Sequence, residues 1–369
     1  MTIGIDASRA FRKNKTGTEW YSYHVIQEMI RQNQSDHIVL FTDRKVLESE
    51  IGFDIPSSVT IKYLSWPIGI LWTQGRLSLE MMMHPPDVLF IPSHAIPLIH
   101  PKKTVTTIHD VGFLQYPESY SKKDFQYLHW ATSYAIKHAS SLITVSEFSK
   151  RELISHYRVS PEKIHVTHLG YDESMYHPYP KEELEAVQKK YNLTKSYLIC
   201  IARLEPRKNI SFLIDVFDAL KKEEYDGDLV LIGPEGYVAR NIFDRIKASP
   251  FASSIHHLGW IEEKEKAILL ADADCFVFPS LYEGFGLPVL EAHACGVPTV
   301  VSNTTSIPEV GGDGALYCRL DATSEWVENL ENILKDADLK DTMRQKGFEN
   351  VKRFSWKETT IQTLKLLQE

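Results

Sequence analysis

The sequence predicts an α/β protein of two Rossmann-like domains whose parallel sheets face each other across a cleft. Three observations lead there. Short β-branched runs alternate with longer amphipathic ones along the whole chain, the rhythm of β-α units whose strands lie parallel with right-handed crossovers. A length of 369 residues fits two domains. Near the middle, Pro178 and Pro180 interrupt any helix. Residues 1–176 are therefore assigned to a first domain, 177–354 to a second and 355–369 to a last helix.

In the first domain, strands are expected at Ile3–Ile5, Ile38–Phe41, Ile61–Leu64, Val88–Ile91, Thr104–Ile108, Leu142–Val145 and Ile164–Thr167, each a short apolar or β-branched run. Helical spacing occurs over Glu19–Arg31, Phe125–His138 and Glu147–His156. The last of these follows Ser146, a natural N-cap, with Ser149 as a rival. The second domain repeats the rhythm, with strands expected at Tyr197–Ile201, Leu229–Ile232, Ile255–Leu258, Cys275–Phe278 and Thr299–Val301. Helices fit at Ile210–Lys222, Tyr237–Ala248, Lys264–Asp272, Leu287–Ala294, Ser324–Lys335, Asp338–Arg353 and Trp356–Leu367.

Composition narrows the class. Apolar residues at 43% and charged residues at 24% exclude a collagen, a coiled-coil rod or a disordered chain. No run of about 18 apolar residues suggests a membrane span. The opening Met1-Thr2-Ile3-Gly4-Ile5-Asp6 shows neither a basic leader nor an apolar signal core. Cys200, Cys275, Cys295 and Cys318 lack metal-ligand spacing and sit in apolar segments, which suits reduced, buried thiols. A cytoplasmic protein is expected. The net charge of −8 belongs to the second half: residues 1–175 hold 18 basic and 18 acidic side chains, the remainder 23 and 31. No nucleic-acid partner is expected from such a balance. The neutral first half would tolerate an anionic surface.

In open parallel sheets ligands sit beyond the carboxyl ends of the strands, so the residues after each strand matter. The run Ser280-Leu281-Tyr282-Glu283-Gly284-Phe285-Gly286-Leu287-Pro288-Val289-Leu290-Glu291 is the most informative. Pro288 suits a first helical turn, and the glycines before it let backbone approach a ligand. A helix start of this kind can hold phosphate or polyol, with Glu283 and Glu291 reaching different parts of one ligand. Taken alone, the run also fits a capped, buried helix. Arg203, Arg207 and Lys208, stiffened by Pro206, suit phosphate oxygens, though an ordinary basic loop would look similar. His109, beside Asp110 at a strand's carboxyl end, can donate to a sugar hydroxyl or meet developing charge, though taken alone a satisfied core or surface histidine is the commoner reading. Gly17, within Thr16-Gly17-Thr18, marks a possible phosphate turn, but the G-x-G-x-x-G fingerprint is absent. Asp272-Ala273-Asp274 reads as a turn and cap. His256-His257 and Glu262-Glu263 read as surface, and Trp66–Trp72 with Met81-Met82-Met83 as core packing, with the lining of an acceptor groove or a membrane contact as the alternatives. No metal site is expected.

Together these segments resemble the retaining GT-B glycosyltransferases of family 4, the glycosyltransferase group 1 type. The likeness is strongest from Tyr197 to Tyr317. It rests on Ala202-Arg203-Leu204-Glu205-Pro206-Arg207-Lys208-Asn209, Gly233-Pro234, Pro279 through Glu291, Ala292-His293-Ala294-Cys295-Gly296-Val297-Pro298 and Ile307-Pro308-Glu309-Val310. Thr107-Ile108-His109-Asp110 and Val145-Ser146-Glu147-Phe148-Ser149 match more weakly. The resemblance implies a hexosyltransferase moving a sugar, with a lean to mannose from GDP-mannose, from a nucleotide-sugar to an acceptor hydroxyl in cell-surface glycan synthesis. It implies that Arg203 and Lys208 neutralise the leaving diphosphate and that Glu291 holds the ribose. Glu283 and the amides of Gly284, Phe285, Gly286 and Leu287 would hold the donor sugar and phosphate, with Arg207 and Gly17 as further donor contacts. His109 would contact the transferred sugar. No cofactor or metal is implied beyond the nucleotide-sugar substrate. The acceptor is a glycan or a lipid-linked sugar, and the latter would bring the protein to the inner face of the membrane as a peripheral partner. The family's usual glycine-x-glycine and arginine of the N-terminal loop are here Thr16-Gly17-Thr18-Glu19, a departure at the phosphate or acceptor contact. A sugar-nucleotide epimerase or phosphorylase on the same scaffold, or a non-catalytic nucleotide-sugar-binding subunit, are the alternatives.

Overall fold

The structure, a computed structural model, describes the chain except Gln34, Ile68 and Gly69. Two units divide it. The first comprises Met1–Val111, Lys122–Gly170 and Ser355–Glu369, and the second Gly112–Ser121 and Tyr171–Phe354.

The first unit is built on a seven-stranded parallel sheet. Its strands are β1 (Thr2–Asp6), β2 (His37–Thr42), β3 (Val59–Tyr63), β4 (Val88–Ile91), β5 (Thr104–Thr107), β6 (Ser141–Thr144) and β7 (Ile164–Val166), in the order β3-β2-β1-β4-β5-β6-β7. Every residue of β4 and β5 is buried, as expected where helices cover both faces of a parallel sheet. The order reverses between β1 and β4, which puts the residues after β1 and β4 at a switch point where such sheets bind ligands. Ser146 caps its helix as expected, its hydroxyl accepting from Ser149 N–H at 3.0 Å. The C-terminal helix, Trp356–Gln368, belongs to this unit. Trp356 stacks on His24 with ring centroids 5.0 Å apart, and Thr359 Oγ1 donates to His168 O at 2.5 Å. Gly170 is required there, because a Cβ would lie 2.1 Å from Trp356 N.

The second unit carries a six-stranded parallel sheet: β8 (Tyr197–Ile201), β9 (Asp228–Ile232), β10 (Ile255–Gly259), β11 (Cys275–Phe278), β12 (Thr299–Ser302) and β13 (Ala315–Cys318). The order is β10-β9-β8-β11-β12-β13, reversing between β8 and β11. The edge strand β13 and the charged helix Lys181–Lys190 are both additions to the sequence expectation.

All four cysteines are buried free thiols. The Asp272–Asp274 segment ends one helix and precedes β11, as a turn should. Core packing of the methionine run is corrected: Met81 is buried, but Met82 and Met83 are exposed. Within the Trp66–Trp72 stretch, Ile68 and Gly69 lie outside the described residues, while Trp72 Nε1 donates to Leu64 O at 2.9 Å. Among the described residues no helix is long and apolar enough to cross a membrane, and no group of three or more His, Cys, Asp or Glu gathers as a metal site.

Candidate active site

Beyond β8 the chain runs through Ala202-Arg203-Leu204-Glu205 into a short 3-10 turn, Pro206–Lys208, and then the helix Ile210–Lys222. Pro206 starts the turn, where its missing N–H costs nothing. This brings Lys208 inward: its Nζ donates to Glu283 Oε1 at 2.5 Å, with the two residues only 9% and 7% exposed. The ammonium also lies 5.6 Å from the centroid of the Phe278 ring. Arg207 frames the pair. Its Nη1 donates to Tyr282 O at 3.0 Å and stands 3.7 Å from Glu283 Oε2, and its Nε is 2.6 Å from Glu205 Oε1. Burial pushes the Lys208 pKa down and Arg207 adds to that, while Glu283 and Glu205 pull against it. Arg203, by contrast, is exposed.

Glu283 is positioned by hydroxyls that sequence reasoning did not single out. Its N–H donates to Thr305 Oγ1 at 3.2 Å, and Ser306 Oγ bridges Glu283 O and Phe285 O at 2.9 and 2.8 Å. Ser302 Oγ and Thr304 Oγ1 donate to Ser280 O at 2.6 and 3.2 Å. The legible signal is the hydroxyl-rich run Ser302-Asn303-Thr304-Thr305-Ser306, which begins at the last residue of β12. Gly286, at φ +102°, turns the backbone into the helix Leu287–Ala294 with Pro288 in its first turn.

Glu291 is buried one turn inside that helix. Its Oε2 lies 3.8 Å from Lys266 Nζ and has no hydrogen-bond partner among the described residues. Lys266 Nζ lies 2.5 Å from Glu263 Oε1, which accepts the Tyr176 hydroxyl at 2.5 Å. Burial raises the Glu291 carboxyl to about 7; Lys266 opposes the rise and Glu263 adds to it. Tyr176 acts on the same carboxyl and lowers its pKa, so the atom left without a hydrogen-bond donor is Oε2. Glu263 is thus engaged rather than a surface charge, which corrects the sequence expectation. His256 and His257 are also engaged, through Asp228 at 2.8 Å and Gly233 O at 2.9 Å.

His109 and Gly17 lie in the first unit. His109 Nε2 is 3.0 Å from Pro92 O, and since a carbonyl only accepts, Nε2 carries the proton. Burial, and then His94, push its pKa down to about 4, so the ring is neutral and Nδ1 is an acceptor. The expected donor role is corrected to that extent. Tyr21 meets the ring edge-on, centroids 4.8 Å apart. Gly17 opens the helix Gly17–Gln32, whose start is closed by Glu19: Thr16 N–H donates to Glu19 Oε2 at 3.1 Å, and Arg9 Nη1 pairs with Glu19 Oε1 at 2.8 Å.

Residues 15–175 match the family model described as Glycosyltransferase Family 4, and residues 181–350 match that of Glycosyl transferases group 1. The chain is 32% identical over 264 residues to O-antigen chain mannosyltransferase B of Escherichia coli, an alignment covering 71% of this chain and 69% of the relative. The chain belongs to glycosyltransferase family 4. This glycosyltransferase is also 28% identical over 267 residues to the serotype-specific mannosyltransferase WbdA of Escherichia coli, covering 70% of this chain but only 32% of that longer protein. Its fold is that of Anabaena HepE, solved in complex with UDP and glucose, with a TM-score of 0.77 at 16% identity, covering 100% of this chain and 99% of that one. The GT-B architecture is thereby established.

Proposed function

We propose that this glycosyltransferase is a retaining mannosyltransferase that moves mannose from GDP-mannose to a hydroxyl of a growing cell-surface glycan. The observation that carries this reading is the buried Lys208–Glu283 pair, framed by Arg207, at the carboxyl ends of β8 and β11. A lysine held there by one carboxylate has a proton-rich face to turn towards a diphosphate. The mannosyltransferase relatives support the choice of sugar.

In this mechanism Arg203 and Lys208 stabilise the negative charge that builds on the departing diphosphate. Glu291 accepts hydroxyls of the donor ribose through its unpartnered Oε2. Glu283, with the backbone of Gly284, Phe285, Gly286 and Leu287, holds the donor sugar, and Arg207 makes a further donor contact; Gly17 is left without that role, because Glu19 closes the helix start it opens. His109 meets the transferred sugar as an acceptor, through Nδ1. The acceptor oxygen bonds to the anomeric carbon on the face from which the diphosphate leaves, and its proton passes to that leaving group. The chain then needs no carboxylate base, and the basic loop supplies the positive charge. The work is done in the cytoplasm, and at the inner face of the membrane when the acceptor is lipid-linked.

A thermal-shift panel of GDP, UDP, ADP and dTDP with their sugar conjugates tests the donor site. A selective rise with GDP and GDP-mannose, weakened in both Arg203→Ala and Lys208→Ala, is expected. Arg203 is exposed, so its substitution spares the fold. A larger rise with UDP, or one unaffected by either substitution, contradicts the reading. Product formed from the donor without any acceptor would point to an epimerase instead.

A further inference from the structure

The first unit holds polar groups that the donor-site reading leaves unused. Gln74 sits in a five-residue π-helical turn, Thr73–Leu77, in which Leu77 N–H donates to Trp72 O five residues back at 3.0 Å. Turns of this kind recur at functional sites. This one sets the Gln74 amide against Tyr127, Nε2 donating to the phenol oxygen at 3.1 Å. Gln74 is more than nine-tenths buried, yet its Oε1 has no hydrogen-bond partner among the described residues. Tyr127 is 38% exposed and lies beside the exposed Trp130, ring centroids 6.0 Å apart. Asp6 and Arg9 both act electrostatically on the Tyr127 phenol. Asp6 ends β1 at the point where the sheet order reverses, and its carboxylate is buried, with Oδ1 accepting Ser8 N–H at 3.0 Å. A buried carboxylate, an amide oxygen lacking a donor and an exposed aromatic face suit the hydroxyls and apolar face of a sugar ring.

Charge decides which sugar. Arg9 is the cation acting on Tyr127, His94 and His109, and Glu19 neutralises it at 2.8 Å. Glu19 also closes the start of the helix Gly17–Gln32, the place where a phosphate would otherwise gain from the helix dipole. Burial holds His94 and His109 below the ordinary imidazole range, so neither adds positive charge near neutrality.

We propose that Asp6, Gln74 and Tyr127 form an acceptor subsite for a neutral terminal sugar residue, one that discriminates against acceptors carrying phosphate at that end. Calling the ligand an acceptor rests on the transferase reading; the binding does not. The test is a saturation-transfer NMR titration of the whole protein, without donor, using methyl α-mannoside and the same glycoside phosphorylated at O6. The neutral glycoside is expected to bind at least tenfold more tightly than the phosphorylated one. Asp6→Asn and Tyr127→Ala are each expected to weaken it about tenfold, the usual cost of removing a hydrogen bond to a charged group or an aromatic contact, with the GDP thermal shift unchanged. Tyr127 is exposed, so its variant decides the matter even if Asp6→Asn does not fold. Equal or tighter binding of the phosphorylated glycoside, no binding of the neutral one, or an unchanged affinity in Tyr127→Ala overturns the proposal. An absent GDP shift alongside the expected glycoside pattern would instead overturn the donor assignment and leave the subsite standing.

Discussion

Replacing Glu283 by Gln removes the counter-ion of a lysine that scarcely touches water. Lys208 then keeps Glu205 as a nearby carboxylate, one already held by Arg207 Nε at 2.6 Å. Breaking a buried pair by removing one partner typically costs about 3–5 kcal/mol. Here the lysine can escape by losing its proton. That exit caps the cost at pH 7.5 near 4 kcal/mol, about three pH units below its ordinary pKa at roughly 1.36 kcal/mol each. A loss of about 3 kcal/mol lowers the melting temperature of a unit this size by roughly 6–12 °C. The pH dependence has a definite sign. A folded-state lysine pKa below the ordinary value means that the unfolded chain binds more protons, so stability rises with pH up to about 10.4. The deficit of Glu283→Gln should therefore be larger at pH 7 than at pH 9.5. A Lys208→Met/Glu283→Gln double variant should recover much of the loss, with a coupling of about 2 kcal/mol or more. Calorimetric scans at the two pH values read all of this. Melting within about 1 °C of the wild type at pH 7.5, or a deficit unchanged at pH 9.5, would refute the claim that the pair is buried and mutually dependent.

Three further outcomes follow from the same geometry. Glu291, raised to about 7 by burial, costs stability as pH rises through that value, so Glu291→Gln should melt higher than the wild type at pH 8 and lose its advantage towards pH 4.5, while its affinity for nucleotide falls; a variant that binds nucleotide normally contradicts the ribose role. His109, held at about 4, should stay neutral and protonated on Nε2 from pH 8 down to pH 5, and the stability it gives the first unit is lost only as pH falls from about 6.5 towards 4. A ¹⁵N NMR titration placing its pKa at 6 or above contradicts this. Gly170→Ala should loosen the C-terminal helix, because the added carbon meets Trp356 N at 2.1 Å; faster hydrogen exchange over Trp356–Gln368 is the readout, and unchanged protection there would count against it.

Much of the fold could be read from the chain because the buried strands are short apolar or β-branched runs, down to Thr104-Val105-Thr106-Thr107 of β5. The strand β13 escaped because Ala315-Leu316-Tyr317-Cys318 is short and only partly buried, so neither length nor alternation marks it. The helix Lys181–Lys190 buries no residue, and its charges carry no core-facing stripe to betray it. In the site, Lys208 and Glu283 were legible because a basic loop and a glycine-rich loop each follow a strand. Their contact was not, since it joins positions 75 residues apart. The role of Glu19 was written as Thr-x-x-Glu, a helix-start signature masked by reading Thr16-Gly17-Thr18 as a phosphate turn. Lys266 and Glu263 look like solvated helix charges until the fold brings Glu291 and Tyr176 beside them.

The most direct test of the central claim is ¹H NMR of GDP-α-mannose incubated with the protein and a mannoside acceptor. The account predicts GDP release matched by a new mannosidic linkage, its anomeric signal α as in the donor. A β-linked product would contradict the retaining mechanism, and GDP-mannose left unconsumed while another nucleotide-sugar is turned over would contradict the donor.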